Sequence, residues 1–181
     1  MKNHLLSLIL TLLIGISFSA FAEMDHSKMN HGEKIKMNKS GRKTLDKKTK
    51  NEILAALKAN ETVHSAFFEY DGEKVESAVG NLSSALKSIT NPEVSKLLKF
   101  SQSKLGKIKA SNDRGQNDQN YHLFSMALIH VVNTYDIGKE YNAYSCPMVK
   151  KKWLQNSKKM SKVHNPYAPN MPHCGGQDTS H

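Results

Sequence analysis

Cysteine is nearly absent from this 181-residue chain, which has two, and tryptophan occurs once. Cys146 and Cys174 alone rule out a scaffold held by several disulfides, and their separation leaves no Cys-x-x-Cys redox motif. No stretch sustains the alternation with β-branched residues that marks a strand. Beyond residue 22 no apolar run approaches the length needed to cross a bilayer. Paired acid–base residues, a nucleophile elbow and a phosphate loop are also missing, so the sequence points away from an enzyme. Negative charge is scarce: 16 Asp and Glu stand against 26 Lys and Arg, a net charge of +10. Such a balance would suit nucleic acid. No DNA- or RNA-recognition motif accompanies it, however, so nucleic acid is not expected as a partner and the lysines read as a solvated surface.

What is present begins with Lys2, an apolar run from Leu5 to Ile16, and Ala20-Phe21-Ala22 before Glu23. This is the pattern of a secretory signal peptide, residues 1–22, cut after Ala22. It predicts a periplasmic protein with no membrane span once the signal is removed. Position 23 is not cysteine, so no lipoprotein anchor is expected. Residues 23–43 are polar and lack apolar periodicity, and are expected to form a flexible arm.

Residues 44–140 carry four apolar stripes at helical spacing. The first comprises Ile53, Leu57, Asn60, His64, Phe67 and Phe68, and ends at Asp71-Gly72. The second runs through Val75, Val79, Leu82, Leu86 and Ile89. Asn91-Pro92 starts the third, with proline at the first helical position, and Val94, Leu97, Leu98, Ser101, Leu105 and Ile108 continue it. The fourth, from about Asp118 to Tyr135, carries Phe124, Ala127, Leu128, Val131 and Tyr135. Residues 141–181 change to Pro, Gly, Asn and Lys with scattered aromatics; only Lys150 to Lys162 has the makings of a short helix there. The expected fold is all-α: an antiparallel four-helix bundle with an irregular C-terminal tail packed on it. Helix four is apolar nearly all round, with His122, Met126, Ile129 and His130 opposite its core stripe, so the tail is expected to cover it. That would bring Cys146 and Met148 near His122, Met126 or His130.

The tail concentrates soft ligands. Cys146-Pro147-Met148 offers a thiolate and a thioether one residue apart, and Met171, His173 and Cys174 offer three more groups within four positions. Thiolate, thioether and imidazole are the donors Cu(I) prefers, and a two- or three-coordinate site needs few of them. Zinc on two Cys and two His is the other metal such residues permit. A Cys146–Cys174 disulfide accounts for the cysteines as well, and would stabilise the tail by roughly 3 kcal/mol. It leaves Met148, Met171 and His173 unexplained. A second cluster, Met24, His26, Met29 and His31, lies in the arm, where thioethers and imidazoles can wrap copper. His64 sits within the apolar stripe of helix one, either as a hydrogen-bonded core histidine or as a ligand reaching into the tail. His122 allows the same two readings.

Met-Asp-His-Ser-Lys-Met at 24–29 resembles the Met/His segments of periplasmic copper-resistance proteins. The series Cys146-Pro147-Met148, Trp153-Leu154, Asn165-Pro166-Tyr167, Met171 and Cys174-Gly175 is similar to an uncharacterised family of exported helical domains. These are found alone or attached to periplasmic adaptor subunits of heavy-metal efflux systems. The resemblance spans residues 44 to 176 and implies an association with copper or silver export, with Cys146, Met148, Met171, Cys174 and His122 as the matching positions. His173 departs from the family pattern. The expected function is copper binding that buffers or delivers Cu(I), with an efflux adaptor or a periplasmic copper protein as partner. The alternative is a structural or interaction module closed by a disulfide.

Overall fold

The computed structural model describes residues 36–181. The signal sequence at 1–22 and the arm ligands Met24, His26, Met29 and His31 lie outside the described residues.

Each helix begins where a short polar side chain replaces the backbone acceptor that a first turn lacks. Asp46 accepts from the Thr49 N–H at the start of α1 (Lys47–Phe68), and Asp71 accepts from Glu73 and Lys74 at the start of α2 (Gly72–Lys87). Asn91 accepts from Val94 ahead of Pro92 in α3 (Pro92–Leu105), and Asp113 accepts from Gln116 in α4 (Arg114–Thr134). The apolar stripes then meet in one core: Ile53, Leu57, Val63 and Phe67 of α1, Val75 and Leu82 of α2, Leu98 and Leu105 of α3, and Phe124 and Leu128 of α4. α1 packs on α2 and α3 on α4. The Phe67 and Tyr121 rings stack at 4.5 Å between α1 and α4.

The chain beyond α4 overturns the all-α expectation. It forms three strands, β1 (Tyr141–Cys146), β2 (Lys151–Asn156) and β3 (Gly176–Gln177), in one antiparallel sheet of order β2-β1-β3. Lys151–Asn156 is therefore strand and not part of a short helix. The fold is mixed, four helices with a small sheet laid on α4. The physical reason lies in burial. A strand covered on one face alternates, but four consecutive side chains of β1 and four of β2 are buried, so the period-two signal disappears. Trp153 is fully buried and packs against Tyr144 and Tyr167.

Two charged residues fasten the sheet and the chain's first described turn to the helices. Glu61 of α1 accepts from Tyr141 Oη at 2.6 Å, Asn156 Nδ2 at 2.8 Å and Lys159 Nζ at 2.5 Å. Burial pushes its carboxyl up, but these three donors outweigh burial and hold it below the usual range. Arg42 is buried beneath the end of α4, where its guanidinium donates to the carbonyls of Val132 and Gly138 and pairs with Asp136 at 3.4 Å. A cation satisfying the last carbonyls of a helix also complements its dipole. Arg42→Ala is expected to lower stability by about 2–3 kcal/mol, since it leaves part-buried carbonyls without a donor. Urea unfolding would show this as a lower midpoint at unchanged slope, whereas an unchanged midpoint would show that Arg42 contributes nothing there.

Candidate metal centre

Cys146 ends β1 and is buried, while Cys174, just before β3, is half-buried; both are free thiols. Pairing of Ser145 with Gly176 and of Tyr144 with Gln177 brings the two cysteines to the same end of the sheet, close enough for each thiol to shift the titration of the other. Burial pushes the Cys146 thiol up. The Cys174 thiol, the backbone N–H groups of Val149 and Met148, and the Asn165 side chain together outweigh burial and leave it below its ordinary value. The Cys174 thiol moves the other way, raised first by its hydrogen bond to Cys146 and then by burial. One sulfur is thus prepared to carry negative charge and the other to share a proton with it, which is how a reactive or metal-binding thiolate is made.

The turn from Pro147 to Lys150 supplies the donors. It joins β1 to β2, and Lys150 takes a left-handed conformation (φ 52°) to close it. From the other side comes Asn165, fully buried, whose Nδ2 also donates to the Cys174 carbonyl at 2.9 Å. Its backbone N–H donates to Pro172 O at 2.8 Å, and its Oδ1 accepts from Tyr167 at 2.9 Å. Gly175 (φ 129°) permits the approach: a Cβ there would lie 2.5 Å from Ser145 O and 3.0 Å from the Trp153 ring.

Beside Cys146 an open pocket of about 540 Å³ is lined by His122 and Met126 of α4, by Pro147, and by Lys150 and Lys151. His122 and Met126 are four residues apart and share a helix face. The His122 ring is fixed through Nδ1, 3.1 Å from the Lys152 N–H and 3.3 Å from the Lys152 carbonyl, and Nε2 makes no hydrogen bond among the described residues. Nδ1 accepts from that N–H, so the neutral ring carries its proton on Nε2, and a metal at Nε2 requires the proton to move to Nδ1, where the Lys152 carbonyl would accept it. Burial holds the His122 imidazole below its ordinary value, with the Lys151 and Lys152 charges adding to it, so the ring is neutral at pH 7.

The remaining candidates are placed elsewhere. Met148 is 69% exposed on the turn and Met171 is exposed on its own loop. His173 is exposed, with Nδ1 2.6 Å from the Val163 carbonyl. His130 is exposed and does not line the pocket. His64 is buried on α1, with Nε2 2.9 Å from His164 Nδ1, and His164 stacks on Phe68 at 3.4 Å. Its second nitrogen, Nδ1, is buried without a partner among the described residues. His164 lies in the irregular tail, and no motif around it in the sequence marks it as the partner of His64. Among the described residues no group of three or more His, Cys, Asp or Glu side chains is placed to hold a metal ion. The constellation at Cys146 consists of two thiols with an imidazole and a thioether at the adjoining pocket.

No protein-family model, no curated protein and no solved structure matches the chain. Among the described residues no helix is long and apolar enough to cross a membrane.

Proposed function

We propose that this is an exported, periplasmic copper-binding protein that buffers Cu(I) or delivers it in copper resistance and efflux. The observation that carries this reading is the thiol pair: the β1–β3 pairing brings Cys146 and Cys174 together, and Cys146 lines a pocket that also presents His122 and Met126. The donor set fits the ion. Cu(I) accepts two or three soft ligands, and two sulfurs with an imidazole or a thioether supply them, whereas Zn(II) takes four. Silver shares the same preferences. In this reading Cys146 and Cys174 hold the ion, and His122 and Met126 complete its shell. Met148, Met171 and His173 stand on the outer loops, and Met24, His26, Met29 and His31 of the arm capture or hand over ions. The receiving partner would be a heavy-metal efflux adaptor or another periplasmic copper protein. In this reading no residue performs chemistry on a substrate. A second reading, a structural module closed by a Cys146–Cys174 disulfide, draws on the same proximity of the two sulfurs.

A Cu(I) titration of the reduced protein against a chromophoric chelator separates the two. Cys146→Ser is expected to weaken binding on the order of 100-fold or more, because one sulfur loses the effective concentration of the other. Deleting residues 23–31 is expected to leave the tight site intact. Two blocked thiols in protein isolated from the periplasm, together with weak binding lost on that deletion, would sink the carrier reading in favour of the stapled module.

A further inference from the structure

Away from the thiols, α3 turns a second unusual surface outward. Phe100 is 77% exposed, the most exposed of the large apolar side chains described. Lys96 and Lys104 stand four residues to either side of it on the same helix face, with Lys104 Nζ 5.6 Å from the Phe100 ring centre. Lys99 and Lys107 are exposed beside them. Across a groove of about 570 Å³, Lys87 of α2 faces Lys96 and Lys99 over Leu86 and Ile89.

What sets this face apart is an exposed ring among lysines without an acidic partner, a lack they share among the described residues with lysines such as Lys36, Lys58 and Lys162. Lys43, Lys48, Lys74, Lys109, Lys152, Lys158 and Lys159 each meet a carboxylate within 4 Å. Among the described residues none of Lys87, Lys96, Lys99, Lys104 and Lys107 does so. The one acidic residue of α3, Glu93, is taken by Lys43. Lys104 therefore stands beside one protruding aromatic ring, with Lys96 on the same helix face and Lys87, Lys99 and Lys107 exposed on α2, α3 and the turn after it.

We propose that this face seats the protein on an anionic phospholipid surface, with Phe100 entering the boundary between headgroups and acyl chains and the lysines meeting the phosphates. Basic residues around an exposed aromatic on a helix are the composition of an interfacial contact. The shape favours lipid over an acidic protein. Phe100 projects from a convex helix and needs no matching pocket in a fluid layer. Lysines are flexible point charges without the fork geometry that a defined carboxylate pattern would select. The contact is peripheral and reversible, and it leaves the thiol site, on another element, free.

The test introduces a reporter at the contact itself, so that binding through any other segment is not mistaken for it. In full-length Phe100→Trp, the introduced indole is expected to shift to the blue and to be quenched by brominated acyl chains in phosphatidylglycerol vesicles. Pure phosphatidylcholine vesicles should do neither, and Trp153, fully buried, supplies a constant background. Adding Lys96→Glu, Lys99→Glu and Lys104→Glu is expected to weaken partitioning about 100-fold, as the loss of about fivefold per lysine requires. Raising the salt to 0.5 M should weaken it as well. An unquenched indole on phosphatidylglycerol vesicles overturns the proposal even where the protein sediments with them. Quenching that survives charge reversal also overturns it. Burial of the indole by polyglutamate and not by anionic vesicles would replace the lipid with an acidic polypeptide.

Discussion

A Gly175→Ala variant is expected to keep its four helices and lose its paired thiols. The added Cβ would stand 2.5 Å from Ser145 O, closer than a Cβ approaches a backbone oxygen, and 3.0 Å from the ring of Trp153. Neither neighbour can yield: Ser145 is held in β1 between two partners, and Trp153 is fully buried. The backbone angle of 129° adds strain of about 1–3 kcal/mol for any residue with a side chain. β3 pairs only two residues with β1, so the strain opens the approach of Cys174 to Cys146, while Asp178, Thr179 and His181 still tie the end of the chain to β1, β2 and α4. Circular dichroism should retain the helical signal, Cys174 should alkylate at the rate of a free peptide thiol, and Cu(I) affinity should fall to that of Cys174→Ser. Wild-type affinity with a protected Cys174 would show that the cysteines meet without the β3 geometry.

The second large effect is an acid dependence centred on His64. Burial, followed by the charge of His164, lowers its pKa from 6.5 to about 3. An unfolded chain therefore binds a proton at pH 5 that the folded chain refuses. The contribution of His64 to stability is full above pH 6.5 and is lost as pH falls toward 3, amounting to about 2 kcal/mol between pH 7 and pH 5. His164, also lowered by burial and by His173, acts in the same direction. Asp118 opposes both. Burial, exceeding the pull of Arg114, raises its carboxyl to about 6, so its contribution is full below 3.8 and lost as pH rises through 6. Glu61, held below its ordinary value, matters only under about pH 4.5. The measurement is therefore a difference, the wild-type unfolding free energy less that of His64→Gln at each pH, in which Asp118 cancels. That difference should shrink by about 2 kcal/mol on going from pH 7 to pH 5. A constant difference would mean that His64 takes up its proton in the folded state.

The helices were legible because each obeys a local rule. Asn91-Pro92 reads as a start, and stripes such as Ile53, Leu57 and His64 read as buried faces, because a helix is specified within a few residues of itself. The sheet was not, because β1, Tyr-Asn-Ala-Tyr-Ser-Cys, owes its strand state to a partner ten residues on and another more than thirty residues on. Nothing in the local sequence marks Glu61; only the arrival of Tyr141, Asn156 and Lys159 makes it a clasp. The second face of α4 did signal a cover, and the structure lays Cys146 beside His122 and Met126 there. The same face also carries His130, which stays exposed, since periodicity fixes a direction but not how far the cover extends. Asn165 and Gly175 shape the thiol pair through backbone approach, which side-chain chemistry in a sequence does not announce.

The distances along the chain between these joined residues have a temporal meaning. The clasp at Glu61 reaches 98 residues forward to Lys159, and the histidine pair spans 100. Helices form from neighbours, but contacts of that span close late, after loop entropy has been overcome. The cysteines therefore come together only when the final residues dock on β1. A ligand that grips both sulfurs recognises the finished chain and not its precursors, and it draws the folding equilibrium toward completion as its concentration rises.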